Sequence, residues 1–512
     1  MSSVGYQHLV NQFGLHVRPL ARPASVSSAV NRRVDNDRNI LFPITVTLDN
    51  TPVGHLEFAL RHEGVNLEVI DALFEVLEPQ LLIERLRQTP TGEYIRRSCA
   101  IWEWLKGKEL NAGVPPSGNY VELFPSDMYA VAANPTRIRT YRVTNNALGT
   151  PLFCPIVLKS AVPTSPSLEE LLGEVDTMFQ DQTNTDLYNR AIRYLYLSET
   201  RSSFAIERET ANASKEEMFV RLLEMAGETE GISEERLVEL QNTVVRDPFA
   251  KEMSYRSSQN WLTNSTGRIT FLPPTPDDLL PLMDGWEEFV CDNTRGVDLL
   301  VKTACAAFGF VYNHPFMDGN GRLHRFMIHQ LLAQSDILPE GVPIPVSAVI
   351  MKHIPEYLNV LEGFSKSTTA LWDYRRGELE PHITRTPGIR PYRFWDASRE
   401  TAFLGKMIAE AVQNEIPREL SYLQGYDAAF TQLDAALDIP HKDLAILIRA
   451  TQQNGGTISN NVRKRYYHIP GEVLDKIEAV VRSSFADLPT IPVLEESAIA
   501  AQPTSRPIRL EP

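Results

Sequence analysis

Apolar positions recur at helical spacing through most of the middle and last parts of the chain. Val297, Leu300, Ala304, Ala307, Phe308 and Val311 fall on one helical face. The same periodicity predicts helices over residues 186–197, 215–225, 234–244, 277–293, 297–312 and 321–334. The first 165 residues read differently. Residues 41–48 and 53–60 are β-prone and joined by Asp49-Asn50-Thr51-Pro52, which predicts a hairpin. Two helical stretches come next, the second marked by Ile95, Cys99, Trp102 and Leu105. A second hairpin is expected where residues 258–262 and 268–272 flank Thr263-Asn264-Ser265-Thr266-Gly267, with Pro273-Pro274 behind.

Prolines and glycines divide these patterns. Pro151, Pro155, Pro163 and Pro166 mark one boundary, and residues 376–391, with Pro381, Pro387, Pro391, Gly377 and Gly388, read as a linker. The expected organisation is a small α+β domain over 1–165, a helical domain over 168–375, a helical C-terminal domain over 392–485, and a proline-rich flexible tail over 487–512. The fold class is mainly α. In the C-terminal domain, residues 443–453 end at Gly455-Gly456 and Ser459 is placed to cap the next helix, a pattern open to a helix-turn-helix or winged arrangement. Arg463-Lys464-Arg465 lies beside it as a short basic cluster.

Composition narrows the function. The 512 residues are 43% hydrophobic and 22% charged, a globular balance, and 512 residues exceed what one core ordinarily organises. A formal net charge of −15 gives no general attraction for nucleic acid or anionic membrane, which leaves the C-terminal domain as the one candidate for nucleic-acid contact. The best apolar run, 297–311, is broken by Asp298 and Lys302, and nothing has the length to span a bilayer. Cys99, Cys154, Cys291 and Cys305 lack metal-ligand spacing and read as reduced, mostly buried thiols. The first residues lack a basic start followed by an apolar core, so a cytoplasmic location is expected.

Chemistry concentrates in His314-Pro-Phe-Met-Asp-Gly-Asn-Gly-Arg-Leu-His-Arg325. A neutral imidazole at His314 can accept a proton. Gly319, Asn320 and Gly321 precede a helical pattern (Leu323, Phe326, Met327, Gln330, Leu331), so the backbone can turn tightly and present a helix N-terminus to an anion. Arg322 and Arg325 share a face three residues apart, and guanidinium forks suit phosphate oxygens. A carboxylate at Asp318 makes sense beside phosphates chiefly as a Mg²⁺ ligand. Phe316 reads as a core anchor for the loop.

This stretch resembles the signature of the Fic family, H-x-F-x-[D/E]-G-N-G-R-x-x-R, and matches it at every defined position. The resemblance implies an all-helical Fic core with a β-hairpin flap. It implies His314 as the general base for a target hydroxyl and Asp318 as the Mg²⁺ ligand. Gly319, Asn320 and Gly321 would line the anion hole, and Arg322 and Arg325 would hold the remaining phosphates of ATP. The implied outcome is transfer of AMP to a Ser, Thr or Tyr of a target protein or of the protein itself. The hairpin at 258–272 resembles the Fic flap, with Trp261, Leu262, Arg268 and Ile269 expected to dock the target by backbone pairing. Ser203 and Glu207 resemble the [S/T]-x-x-x-E-[G/N] motif of family members that inhibit themselves, in which the Glu pairs with the second motif arginine, here Arg325. Arg208 departs from that motif, which has Gly or Asn at its place. The family also implies possible homodimers, and it leaves open AMP removal or transfer of other phosphoryl groups. A regulator that senses nucleotide and contacts DNA or a partner through its C-terminal domain is the reading from another class.

Overall fold

The computed structural model describes residues 2–486 apart from 116, 181–184, 210–212, 228–230, 246–249, 336, 376 and 378–380. The chain is mainly helical and folds into two compact units that do not follow its linear order. The first comprises Met1–Thr164, Glu228–Leu332 and His353–Gly405, and the second Ser165–Gly227, Ala333–Lys352 and Lys406–Pro512.

In the first unit, a small sheet orders the strands Ser2–Ser3, Ala24–Ser27, Ile40–Pro43 and Val34–Asp35. The middle pair runs parallel, Ala24 opposite Ile40. The hairpin expected at 41–60 does not form. Its second run is the helix Pro52–His62. The turn residues act instead as a helix start: Thr51 accepts a hydrogen bond from the Gly54 N–H at 3.0 Å, and Pro52 fits the first turn, where no N–H is needed. Val53, Leu56 and Leu60 are then buried on one face. The helix Glu93–Lys106 forms where Ile95, Cys99 and Trp102 predicted it, and all three are buried in the core of this lobe.

The rest of the first unit is built around the helix Leu299–Asn313, started by Asp298, whose side chain accepts from the Val301 N–H. It is apolar nearly all round and is correspondingly buried on every side. Gly309 permits that enclosure, since a Cβ there would stand 2.7 Å from the Phe153 ring. The segment 390–400 binds this core to the N-terminal lobe through main-chain contacts. The Cys154 N–H donates to the Arg393 carbonyl and the Ile156 N–H to the Trp395 carbonyl, at 2.9 and 2.8 Å. In the stretch read as a linker, His382–Arg385 pairs antiparallel with Asp373–Arg375 just before it, and a short helix spans Arg390–Arg393.

The second unit contains the helices Leu168–Gln180, Thr185–Ile206, Ala213–Glu224, Val346–Lys352 and Ile416–Asp434, then His441–Gln453, Asn460–Arg465 and Gly471–Ser484. The last of these pack around Leu433, Leu444, Leu447, Ile448, Leu474 and Ile477. Ser459 caps Asn460–Arg465 as its position predicted, accepting from the Val462 N–H. Arg463 of the basic cluster is engaged within this unit by Asp475 and Glu478. The tail expected at 487–512 lies outside the described residues. Cys99, Cys154 and Cys305 are buried and Cys291 is exposed, with no disulfide among them.

Candidate active site

The helix Leu299–Asn313 ends at His314, which takes the left-handed conformation (φ 50°) and closes the helix with its N–H on the Phe310 carbonyl at 2.9 Å. This conformation is uncommon for a residue with a Cβ, and it turns the chain sharply into the motif loop. His314 Nδ1 lies 3.3 Å from the Val311 carbonyl. A carbonyl can only accept, so this contact selects the tautomer protonated at Nδ1 and leaves Nε2 as a base. Burial, reinforced by the nearby Arg256 cation, pushes the His314 pKa down to about 4, so the ring is neutral at physiological pH.

The loop is held from within and from outside. Inside, the Asn320 side chain brackets Phe316: its Oδ1 accepts the Phe316 N–H at 3.0 Å and its Nδ2 donates to the Phe316 carbonyl at 2.7 Å. Phe316 itself is fully buried, as its anchoring role requires. Outside, Arg256 donates from Nε to the His314 carbonyl at 2.9 Å and from its main chain to the Pro315 carbonyl at 2.8 Å. The same guanidinium reaches the Ser258 and Pro274 carbonyls. Asn260 Nδ2 donates to the Phe316 carbonyl at 3.2 Å, and Gln241 Nε2 to the Asp318 carbonyl at 3.3 Å. Sequence reading missed Arg256, Asn260 and Gln241. Their partners are main-chain carbonyls brought near by folding, and no local spacing signals that.

Gly319 enters the helix Asn320–Ala333 at φ 88°, where a Cβ would press within 3.2 Å of Val245. The first intrahelical bond runs from the Leu323 N–H to the Gly319 carbonyl, so the N–H groups of Asn320, Gly321 and Arg322 have no carbonyl inside the helix to bind. Asp318 is half exposed at the loop's tip and accepts the Gly319 N–H at 2.6 Å and Arg322 at 3.0 Å. Arg322 is buried and also donates to the Val244 carbonyl at 3.2 Å, and Arg325 is buried one turn on. Thus His314, Asp318, Gly319, Asn320, Gly321, Arg322 and Arg325 share one loop and helix start. Among the described residues, no three or more His, Cys, Asp or Glu side chains gather as a metal site, so Asp318 offers a single hard oxygen ligand.

The hairpin forms in the same unit, with Leu262–Thr263 pairing antiparallel to Ile269–Phe271. Its turn is organised by Asn264, whose Oδ1 accepts the Thr266 and Arg268 N–H groups. Leu262 is exposed and Ile269 partly so, whereas Phe271 is buried. Trp261 and Arg268 flank the strands rather than belonging to them. Through Arg256, the carbonyls at both feet of the hairpin share one cation with the His314 carbonyl.

Ser203 and Glu207 belong to the second unit. Ser203 and Phe204 are buried near the end of the helix Thr185–Ile206, and Glu207 is exposed just beyond it. The Arg208 N–H bonds the Ala205 carbonyl, the Glu209 N–H bonds the Phe204 carbonyl, and Arg208 has φ 58°. This is a Schellman ending with arginine in the left-handed position. The Gly or Asn of the resembled motif has a physical meaning at this place: both residues adopt that conformation readily, and Arg208 adopts it too.

The comparisons with known proteins agree with the motif. Residues 231–332 match the model of the Fic/DOC family. It is 33% identical over 73 residues to the protein adenylyltransferase Fic of Drosophila mojavensis, a match covering 14% of each chain. The same identity relates it to the protein adenylyltransferase Fic of Drosophila melanogaster, over 14% of this chain and 15% of the fly protein. The match thus spans about a seventh of the length of these relatives. A Fic domain containing signaling protein from Bacteroides thetaiotaomicron aligns at 16% identity with a TM-score of 0.37, over 50% of this chain and 97% of the other. A Fic family protein from Desulfovibrio desulfuricans aligns at 16% identity and TM-score 0.37, over 64% and 88%. No helix among the described residues is long and apolar enough to cross a membrane.

Proposed function

We propose that this protein is a protein adenylyltransferase that moves AMP from ATP to a hydroxyl of a target protein and is restrained by Glu207. The observation that carries this reading is His314. It stands as a neutral base with Nε2 unprotonated, at the head of a loop that leads directly into a helix N-terminus and two buried arginines. In the proposed reaction a target hydroxyl oxygen attacks the α-phosphorus and its proton passes to His314 Nε2. The bond from the α-phosphorus to the bridging oxygen breaks, and pyrophosphate leaves with that electron pair. The backbone around Gly319–Gly321, with Arg322 and Arg325, stabilises the phosphate charge. Asp318 is a fitting ligand for Mg²⁺, because a lone exposed carboxylate leaves the other coordination positions to phosphates and water. That ion would supply charge neutralisation at the phosphates. The release of Asp318 from Arg322 is then part of nucleotide binding, since one carboxylate holds that guanidinium in the structure.

The flap residues Trp261, Leu262, Arg268 and Ile269 would dock the target by adding a backbone strand, with exposed Leu262 as the apolar contact. The test uses ATP labelled at the α- or the γ-phosphate, with Glu207→Gly protein and a lysate as the source of targets. The reading expects α-label on protein and no γ-label. Transfer of γ-label alone would replace it with a phosphotransferase.

A further inference from the structure

The last three helices of the second unit present a surface that the transferase reading leaves unused. Residues 441–486 hold seven lysines and arginines against four aspartates and glutamates, a local excess of positive charge in a chain whose net charge is −15. From 444 to 471 the sequence has no acidic side chain at all. The carboxylates that face the short helix Asn460–Arg465 come from the helix after it, Asp475 and Glu478, and Arg463 takes both, at 2.8 and 2.5 Å. Lys464 and Arg465 are exposed, and among the described residues no ion pair engages either of them. Tyr466 is buried, and its hydroxyl donates to Asp443 at 3.2 Å. That contact sets the start of the helix His441–Gln453, with exposed Lys442, beside the end of Asn460–Arg465. Tyr467, next in the chain, is 86% exposed, a large ring left in water beside these cations. Asn460, Asn461 and His468 are exposed along the same stretch.

We propose that this surface binds single-stranded nucleic acid, with Lys442, Lys464 and Arg465 on backbone phosphates and an unpaired base stacked on Tyr467. Cations along a strand release its counterions, and an exposed aromatic face accepts any base, because every base has a π-face. The amides of Asn460 and Asn461 add donors and acceptors for base edges. A duplex fits less well, since its bases offer edges in the grooves and no free face for the tyrosine. An acidic protein segment would meet the cations and leave the ring without a partner. The proposal does not depend on the transferase reading, since none of these residues belongs to the motif.

The test is fluorescence anisotropy of the full chain with a labelled oligothymidylate of about twelve nucleotides, within the usual span of a single-strand site. The same strand annealed to its complement, inorganic polyphosphate, polyglutamate and ATP with Mg²⁺ serve as competitors. Saturable binding of the single strand is expected at about 50 mM salt, weaker by roughly ten- to twentyfold at about 200 mM, the dependence that three phosphate contacts produce. Lys464→Glu should weaken binding and flatten the salt dependence by the share of about one contact. Tyr467→Ala should weaken it by about fivefold or more with the salt dependence unchanged, and Tyr467→Phe should restore it, since the ring and not the hydroxyl carries the stack. Both positions are exposed, so these variants leave the core of the unit intact. Absence of saturable binding at about 50 mM salt, or Tyr467→Ala binding as tightly as the wild type, would overturn the proposal. So would displacement by polyphosphate, polyglutamate or the duplex as readily, charge for charge, as by the unlabelled strand. Displacement by ATP would place the strand at the motif and overturn it as well.

Discussion

Arg256 holds the motif loop by its carbonyls, although it lies 58 residues before His314. Its guanidinium is buried, and burial lowers its pKa to about 10, so it stays charged at neutral pH, with three carbonyls to receive its N–H groups. Arg256→Met should destabilise the first unit by about 2–4 kcal/mol, since it strands buried carbonyls, and should reduce transfer even under conditions where the protein stays folded. Denaturant unfolding followed by label transfer on the folded fraction checks both. His314 carries a second prediction. Its folded pKa is depressed to about 4, so the base form persists as pH falls and is lost only near that value. The acid limb of kcat/KM, which reports the unliganded protein, should therefore stay level down to about pH 5 rather than fall below about 6.5. The identities of the motif residues were readable in the sequence because they share twelve consecutive positions. The residues that restrain them were not, because Arg256, Asn260 and Gln241 act on main-chain atoms that only the folded chain brings to them.

Among the elements, the end of the helix Thr185–Ile206 shows how a motif position translates into conformation. Arg208 sits at φ 58°, a region that disfavours any residue with a Cβ. Arg208→Gly should stabilise the protein by about 1 kcal/mol, because glycine removes that strain at a place where the two helix-ending hydrogen bonds already fix the backbone. Thermal unfolding of the variant against the wild type measures it, and a loss of stability would mean the arginine side chain contributes more than its backbone costs. The same scale shows why residues 53–60 misled. Val53, Leu56 and Leu60 fit a strand by residue type, yet Thr51 and Pro52 form a helix start, and capping chemistry with a buried face outweighs strand propensity. Residues 234–244 were legible to the residue, because Ser233 caps a clean helical period. The hairpin at 262–271 was legible in kind, with strands shorter than expected because a bulge interrupts the pairing beside Leu262.

For the whole molecule, the division into units follows contacts that connect distant parts of the sequence. Residues 1–164 join the motif-bearing segment and 353–405 in one compact unit, with main-chain bonds from 133–134 to 295–296 and between 154–156 and 393–397 that carry no sequence pattern. Burial of carboxyls within that unit should leave a signature in its stability. Glu400 has a folded pKa of about 7 against an ordinary 4.5, so its favourable contribution is complete below pH 4.5 and is lost as pH rises through 7. The shift corresponds to something on the order of 3 kcal/mol. Glu400→Gln cannot ionise, so its unfolding free energy should fall less than that of the wild type between about pH 5 and pH 8. Equal slopes in the two proteins would show that Glu400 titrates normally.

The measurement closest to the central claim compares Glu207→Gly with Glu207→Gly/His314→Ala, both given ATP labelled at the α-phosphate. The account predicts labelled protein in the first and a loss of about 10²- to 10⁴-fold in the second, the usual effect of removing a general base. Equal labelling by the two would contradict it, because the motif would then act without the histidine on which its chemistry is built.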